Sequence, residues 1–292
     1  MRTGSLLLTA VLVARGAVAG DAPRPELKVM LAPARAAQGG IVEVIATSAS
    51  PLASLFLVDG ERRVPLAPDA GGSRFVGLYG VDFEAVPGER KLLLEGRDAA
   101  GVEVTGPAVL RVVARRFVVQ RLTVDPKFLK PPPEEKERIE RDRQEFARAF
   151  SSSTPDRLWN GRFVKPTEGT PGENFGARRV YNGQTRSRHA GLDMAAPLGA
   201  PGTAPTSGRV ALAGDFYFSG GSVVLDHGQG LFTMYFHLGR LDVKDGDLVA
   251  AGQRIGAVGA TGRATGPHLH WAARVLGARV DPAALLSLPR VP

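Results

Sequence analysis

The most informative segment of this chain of 292 residues is Gly266-Pro-His268-Leu-His270-Trp271. In a β-strand, side chains two positions apart lie on the same face of the sheet. His268 and His270 therefore share one face, while Leu269 and Trp271 point into packing. The pair predicts a strand edge that carries a metal ion or catalysis.

A second signature, His189-Ala-Gly-Leu-Asp193, lies earlier in the chain. The same alternation places His189 and Asp193 on one strand face, where Gly191 between them leaves room for an ion. A helix would also align positions four apart, but Gly191 and the following Pro197 disfavour a sustained helix. Either geometry brings the two side chains together. Two imidazoles and one carboxylate suit catalytic zinc, which takes three protein ligands and leaves a fourth position for water.

The third signature is Tyr235-Phe-His237-Leu238, which ends a β-rich run. Alternation predicts that His237 shares a polar face with Thr233 and Tyr235. The other face, which can fill a core, then holds Phe232, Met234, Phe236 and Leu238. The fifth histidine, His227, lies in the turn Asp226-His-Gly-Gln-Gly230 that joins two strands, and we expect it to make a structural hydrogen bond.

Further short motifs accompany these signatures: Phe175-Gly176, Leu225-Asp-His-Gly228, Gly246-Asp-Leu-Val249, Gly252-Gln253 and Gly259-Ala-Thr-Gly262. With them, residues 175–285 resemble the lysostaphin- and LytM-like zinc endopeptidases that cut cell-wall peptides. In that family the signatures are H-x-x-x-D, a lone H-L after a strand, and H-x-H. The resemblance implies a small, mostly antiparallel β-sheet domain with one zinc ion in a groove across it.

The resemblance also implies roles for single residues. It assigns zinc to His189, Asp193 and His270, and leaves His237 and His268 as general base and oxyanion stabiliser, in either order. Tyr181 is a candidate for a further hydrogen bond to the oxyanion or the substrate, or else a packing residue at the rim. The implied substrate is a peptide cross-link or stem of peptidoglycan.

Two other functions compete with this one. A non-catalytic cell-wall binder or hydrolase activator could use the same domain, but such a protein is expected to have lost a ligand, and all three ligands and both accessory histidines are present here. A secreted protease acting on glycine-rich proteins would share the zinc chemistry and differ in substrate.

Composition and the chain start bear on location. Residues 1–19 have the charged, apolar and small-residue parts of a secretory signal, and no later run approaches the roughly 18 apolar residues of a membrane span. We expect an exported protein of the periplasm or cell envelope, with full secretion as the alternative. There are no cysteines, which excludes disulfides and thiolate metal sites, and the net charge of +8 favours an anionic partner. No nucleic-acid module is recognisable, so an anionic cell wall or membrane surface fits better.

The chain before the signatures divides into two parts. Residues 20–125 contain short β-rich runs at 27–31, 41–47, 54–58, 74–78, 90–95 and 108–113, separated by turn residues, which predicts an immunoglobulin-like β-sandwich. No titratable cluster occurs there, so we expect a scaffold, a substrate-positioning domain or a protein-binding domain.

Residues 126–158 are proline-rich and then charged, and they predict a linker with a solvated helix at 134–150. Its thin apolar stripe is Ile139, Phe146 and Phe150, and a partner-binding coiled segment is the alternative. The peptidase domain is predicted to occupy 159–292. Within it, 164–188 is expected to form loops that border the site, and Asp281-Pro282 to open a short last helix.

Overall fold

A computed structural model describes residues 27–159 and 161–288, apart from the side chains at 185 and 186. The predicted export signal lies outside these residues. None of the helices in the described ranges is long and apolar enough to span a membrane. The chain folds mainly into β-strands, which confirms the predicted fold class.

The N-terminal part contains two sheets. Its strands are β1 (Leu27–Ala32), β2 (Arg35–Ala37), β3 (Ile41–Ser48), β4 (Leu52–Asp59), β5 (Arg62–Pro65), β6 (Ala67–Pro68), β7 (Arg74–Gly80), β8 (Gly88–Asp98) and β9 (Glu103–Val113). One sheet has the order β1-β3-β7-β6 and the other β2-β9-β8-β4-β5. Residues of both sheets, such as Val44, Tyr79, Leu57 and Leu110, share one core, while the immunoglobulin-like topology stays a prediction.

A short strand follows, β10 (Val119–Leu122), and then two turns of 3-10 helix, Pro126–Phe128 and Pro133–Glu135. The second turn leads directly into helix α1 (Lys136–Ser151). Strand β10 pairs in parallel with β12 (Arg178–Tyr181), which pairs antiparallel with β13 (Gln184–Arg188). Part of the segment predicted as loops is therefore a small sheet, because β10 supplies a partner from a distant part of the sequence.

The C-terminal part is built on one large sheet. Its strands are β11 (Thr170–Pro171), β14 (Gly191–Ala195), β15 (Pro201–Thr203), β16 (Gly208–Phe216), β17 (Gly220–Asp226), β18 (Leu231–Leu241), β19 (Leu248–Val249), β20 (Arg254–Val258), β21 (Leu269–Val275) and β22 (Ala278–Val280). The main path is β11-β14-β21-β18-β17-β16-β19, with antiparallel neighbours. The turn 227–230 joins β17 to β18, and a 3-10 helix, Pro282–Ser287, ends the described chain, both as predicted.

Helix α1 covers one face of this sheet, so it is not the solvated connector that the sequence predicts. The ring of Phe146 lies 4.8 Å from Phe216 and 5.7 Å from Phe236, and Phe150 lies 5.4 Å from Phe232, all between centroids. Ala149 is buried against the same strands. The apolar stripe of the helix is narrow, but its members are large aromatic side chains, and the strands present matching aromatic rings.

The N-terminal sheets pack directly on the C-terminal part. The rings of Phe83, Phe117 and Phe175 meet edge to face, and Ile41, Val76 and Leu78 belong to the same core as the strands of the C-terminal part. Arg279 forms hydrogen-bonded ion pairs with Asp82 at 2.9 Å and Glu84 at 2.6 Å. The N-terminal and C-terminal parts therefore share one continuous interface, which contains both apolar contacts and ion pairs.

Candidate metal centre

The register of three neighbouring strands brings the signatures together. Asp193 of β14 lies opposite His270 of β21, and His270 lies opposite Phe236 of β18. Residues directly opposite one another in a sheet share a face. The His270 ring stacks on Phe236 with an interplanar angle of 4° and a centroid distance of 5.2 Å. Stacking on Phe236 therefore fixes the orientation of the His270 ring, which faces Asp193.

His189 completes the cluster from just before β14. Its Nε2 lies 2.9 Å from His270 Nδ1 and 3.0 Å from Asp193 Oδ1, and His270 Nδ1 lies 3.0 Å from the same oxygen. His189 Nδ1–H donates to the carbonyl of Asn174 at 2.9 Å. The structure thus brings together the three residues predicted to hold a metal.

The three atoms suit zinc. Zinc lies about 2.0–2.2 Å from nitrogen and oxygen ligands, so ligand atoms around a tetrahedral ion are roughly 3.3 Å apart. Nδ1 of His189 carries the proton of the hydrogen bond to the Asn174 carbonyl. In a neutral His189 the lone pair of Nε2 therefore points at a carboxylate oxygen of Asp193. Such a contact is repulsive unless a cation lies between the two atoms. The donor set and its spacing therefore fit a zinc ion.

Gly191 has a different role from the one predicted. A Cβ atom at this position would lie 2.5 Å from His270 Nε2 and 2.7 Å from the Trp271 carbonyl oxygen. The missing side chain therefore makes room for the His270 ring, and not for an ion. The prediction was wrong because alternation within one strand does not show which side chain of the neighbouring strand fills the gap.

Two residues that sequence reasoning missed hold the second oxygen of Asp193. Asn174 Nδ2 donates to Asp193 Oδ2 at 3.0 Å, and Asn174 Oδ1 accepts the backbone N–H of Asp193, also at 3.0 Å. Arg179 donates to Oδ2 as well. These bonds leave Oδ1 for the metal. The only hint in the sequence is that Asn174 precedes Phe175-Gly176, which does not reveal a contact across the sheet.

His237 reaches the centre by breaking the alternation of its strand. Its φ is +65°, in the left-handed region, and the pairing register shifts on both sides of β18 nearby. The predicted shared face with Thr233 and Tyr235 is therefore wrong. The side chains of Thr233 and Tyr235 are buried on the opposite side of the sheet, where the Thr233 hydroxyl forms hydrogen bonds with both Tyr235 and His227. The His237 ring instead lies 4.8 Å from that of His268 and 6.0 Å from that of His270.

His237 and His268 are oriented in the same way. Nδ1–H of His237 donates to the Thr261 carbonyl at 2.8 Å, and Nδ1–H of His268 donates to the Gly266 carbonyl at 2.8 Å. Each neutral ring thus keeps a lone pair on Nε2, and His268 Nε2 is 3.6 Å from Asp193 Oδ1. Both rings can exchange a proton beside the candidate metal centre.

Burial dominates the electrostatics of these side chains. It lowers the pKa of His237 to about 3, assisted by the neighbouring His270 and His268, and the pKa of His270 to about 4. For Asp193, burial alone would raise the pKa, but the neighbouring His189 and His270 side chains hold it well below its usual range. Asp193 is therefore an ionised carboxylate beside the neutral imidazoles of His237 and His270, and these are the protonation states that bind zinc.

The centre opens into a cleft of about 370 Å³ lined by Asp193, His237 and His268. Tyr181 lines it too, with its side chain buried beneath the guanidinium of Arg263. Its role as a hydrogen-bond donor or a packing residue stays a prediction. Gln120, Leu122 and Val124, from β10 and the residues after it, form another wall. That wall comes from outside the predicted peptidase domain, and the sequence gives no sign of it.

The fifth histidine makes the structural contacts that the sequence predicts. His227 is fully buried, its Nδ1–H donates to the Ser207 carbonyl at 2.8 Å, and its Nε2 lies 2.7 Å from Thr233 Oγ1.

Comparison with known proteins extends these observations. The sequence pattern of Peptidase family M23 matches residues 187–282. The peptidoglycan DD-endopeptidase ShyA of Vibrio cholerae is 41% identical over 37% of this chain and 25% of its own length. The DD-carboxypeptidase/endopeptidase Mpg of Neisseria meningitidis is 41% identical over 38% of this chain and 26% of its own. The matched segment thus spans about a quarter of these relatives.

A solved structure from Pseudomonas aeruginosa, assigned to peptidase M23, matches far more of the chain. It is 33% identical, with a TM-score of 0.66, and the match covers 86% of this chain and 94% of that one. The match therefore extends well beyond the residues covered by the family pattern. This chain therefore belongs to peptidase family M23, as its resemblance to the lysostaphin- and LytM-like enzymes indicates.

Proposed function

We propose that this protein is an exported zinc-dependent endopeptidase that hydrolyses peptide cross-links or stems of peptidoglycan. The observation that carries the proposal is the set of three metal-binding atoms within 3.0 Å of one another, beside two histidines whose Nε2 atoms are free of other hydrogen bonds among the described residues. The names of ShyA and Mpg support the substrate class. A place in the cell envelope agrees with that substrate.

His189, Asp193 and His270 would hold the zinc ion. When bound, zinc lowers the pKa of a water ligand toward neutrality and polarises a carbonyl group. Asn174 and Arg179 orient the carboxylate, and the Asn174 carbonyl orients the His189 ring. Such partners of metal ligands keep the ligands in one geometry and one tautomer.

His237 and His268 would move the protons. One accepts a proton from the attacking water on its Nε2 and passes it to the leaving amine. The other stabilises the oxyanion on the scissile carbonyl, and it needs a proton on Nε2 to do so. The hydrogen bonds from Nδ1 to Thr261 and Gly266 fix both rings, so neither role requires a ring to turn. The geometry allows either assignment of the two roles.

Digestion of purified peptidoglycan beside a glycine-rich protein, followed by mass spectrometry of the products, tests the proposal. We expect peptide-bond cleavage in peptidoglycan and none with the His270→Ala variant, which should also lose zinc in elemental analysis after dialysis. Cleavage of the glycine-rich protein alone would indicate the secreted protease. Binding to peptidoglycan without cleavage would indicate a cell-wall binder or hydrolase activator. Equal zinc in wild type and His270→Ala would contradict the ligand assignment.

A further inference from the structure

The cleft beside the metal centre contains an arginine that forms no ion pair with any residue in the described part of the chain. Arg263 lines the cleft together with His237 and His268. Within residues 27–159 and 161–288, no carboxylate lies within 4.0 Å of its guanidinium, and no hydrogen bond from that group is present. Among the described residues that line the cleft, the only acidic one is Asp193, which already contacts Arg179 and the histidines.

Aromatic rings hold the guanidinium in place. It lies 4.9 Å from the centre of the Tyr181 ring and 5.0 Å from that of Phe218, and the backbone N–H of Arg263 donates to the Phe218 carbonyl at 2.8 Å. Stacking on rings uses the face of a guanidinium and leaves the N–H groups on its edge available. The five N–H donors of arginine suit bidentate binding of a carboxylate.

The surroundings disfavour an isolated positive charge here. Burial lowers the pKa of Arg263, and the like charge of Arg179 lowers it further, while the Tyr181 hydroxyl acts in the opposite direction. A half-buried charge without a partner is unfavourable unless a ligand supplies the opposite charge. With zinc in place, the cleft would carry an even larger excess of positive charge.

The loop that carries Arg263 also positions the catalytic histidine. The Thr261 carbonyl accepts the hydrogen bond from His237, and Thr261 Oγ1 donates to the Leu238 carbonyl at 2.8 Å. Gly262 has φ +66°, and a Cβ atom there would lie 2.4 Å from the backbone nitrogen of Gly220. Arg263 is thus held at a fixed position relative to His237.

We infer that Arg263 binds a carboxylate of the substrate close to the scissile bond, and that the enzyme therefore selects acidic peptides over neutral ones. This inference rests on the proposed function and narrows its substrate class. The carboxylate could belong to the residue whose side-chain amine forms the cross-link, or it could be the free carboxyl terminus of the peptide. Both would offer the same two oxygens to the guanidinium.

Three synthetic cross-linked peptides distinguish these sources: one with both carboxylates free, one with only the cross-linking residue amidated, and one with only the carboxyl terminus amidated. For wild type, amidation of the recognised carboxylate should lower kcat/KM by about 10- to 100-fold, the usual effect of a lost charged hydrogen bond. Arg263→Gln should lower kcat/KM for the free peptide by a similar factor and remove the sensitivity to amidation. Compared with Arg263→Gln, Arg263→Lys should restore part of the sensitivity to amidation.

The control is Arg209→Gln, which removes an exposed arginine outside the cleft and should keep the discrimination of wild type. Zinc content and the melting temperature confirm that each variant is folded. If Arg263→Gln does not fold, wild type and Arg263→Lys still decide the question. Equal cleavage of all three peptides by wild type would overturn this inference but not the proposed function. Undiminished discrimination by a folded Arg263→Gln would have the same consequence. Cleavage of none of them would overturn the proposed function as well.

Discussion

At the scale of single residues, Asp193 connects the metal centre to its support. Its Oδ1 faces His189, His270 and His268, and its Oδ2 accepts hydrogen bonds from Asn174 and Arg179. A carboxylate held in this way can give only one oxygen to the metal. The Asp193 side chain therefore has a single geometry before zinc binds. Ordering this side chain costs little of the free energy of zinc binding.

Changing Asn174→Ala should weaken zinc binding by about 10- to 100-fold, because it removes the side-chain bonds that orient Asp193. Competition with a chelator of known affinity measures the change. Asn182→Ala is a matched control, since the Asn182 side chain also makes two hydrogen bonds, in its case both to the backbone of Val124 and away from the metal ligands. Equal zinc affinity in the two variants would show that Asp193 does not depend on Asn174.

His237→Ala and His268→Ala should each keep zinc but lose about 10² or more in turnover, because proton transfer and oxyanion stabilisation each contribute that much. Neither ring supplies a ligand in the proposed set. Rates on a soluble peptide and zinc content, measured on the same samples, check this. A variant with normal zinc and normal turnover would remove its histidine from the mechanism.

The buried His227 predicts a pH dependence of stability. Burial lowers its pKa to about 4 in the folded protein, below the ordinary 6.5 of the unfolded chain. The unfolded state then binds the proton more readily, so this contribution to stability is complete above pH 6.5 and is lost as the pH falls toward 4. By pH 4.5 the loss should be roughly 2 to 3 kcal/mol. Urea unfolding of zinc-free protein at pH 7 and 4.5 measures it. The His227→Gln variant should lose less stability between pH 7 and 4.5 than wild type. Equal losses in the two proteins would contradict the assignment of this pH dependence to His227.

At the scale of elements, helix α1 shows how a weak sequence pattern becomes a packed structure. Only Ala149 is buried in the helix, yet Phe146 and Phe150 fit among aromatic rings of two strands, β16 and β18. Asp142 also accepts the backbone N–H of Tyr217 at 2.7 Å, and Arg138 pairs with Asp215 at 2.9 Å. The helix covers sheet surface that would otherwise be exposed and apolar.

Phe146→Ala should therefore lower the free energy of unfolding by about 2 to 4 kcal/mol, as expected when a large aromatic side chain leaves a packed site. Urea unfolding measures the change. The control is Gln144→Ala on the exposed side of the same helix, which should stay within about 0.5 kcal/mol of wild type. If both variants match wild type, the helix does not pack on the sheet in solution.

At the scale of the whole molecule, the N-terminal sheets are joined closely to the peptidase part. Phe175, which packs on Phe83 and Phe117, follows Asn174 directly, so the interface lies one residue from the support of the metal ligands. Gly80 allows this close approach, since a Cβ atom there would lie 2.9 Å from side-chain atoms of Val275 and Val280. The interface can therefore influence the centre although it supplies no ligand.

A shortened protein that begins at Val118 should still bind zinc and cut small soluble peptides, because it keeps β10 and α1, while its stability should fall as Phe175 becomes exposed. A start near Ser153, within the predicted linker, removes both elements and should lose the cleft wall. Zinc content, urea unfolding and peptide cleavage compare the two with the full chain. A folded, zinc-bound protein from Val118 that cuts no peptide would show that the N-terminal sheets complete the active site.

The mainly β fold, the family, the zinc chemistry implied by that family and the candidate residues of the centre could all be predicted from the sequence. These follow from side-chain alternation along single strands and from short motifs that are contiguous in the chain. The sequence also predicted the structural role of His227, because that histidine lies in a turn and alternation gives it no partner of obvious chemistry.

Only the tertiary structure decided how distant segments meet. The role of Gly191, the contacts of Asn174 and Arg179 with Asp193, the cleft wall from β10 and the packing of α1 all depend on neighbours in space, and no local pattern encodes such neighbours. His237 failed the alternation rule because its positive φ turns the strand locally. The contacts across the fold that hold such a conformation are not visible in a linear sequence.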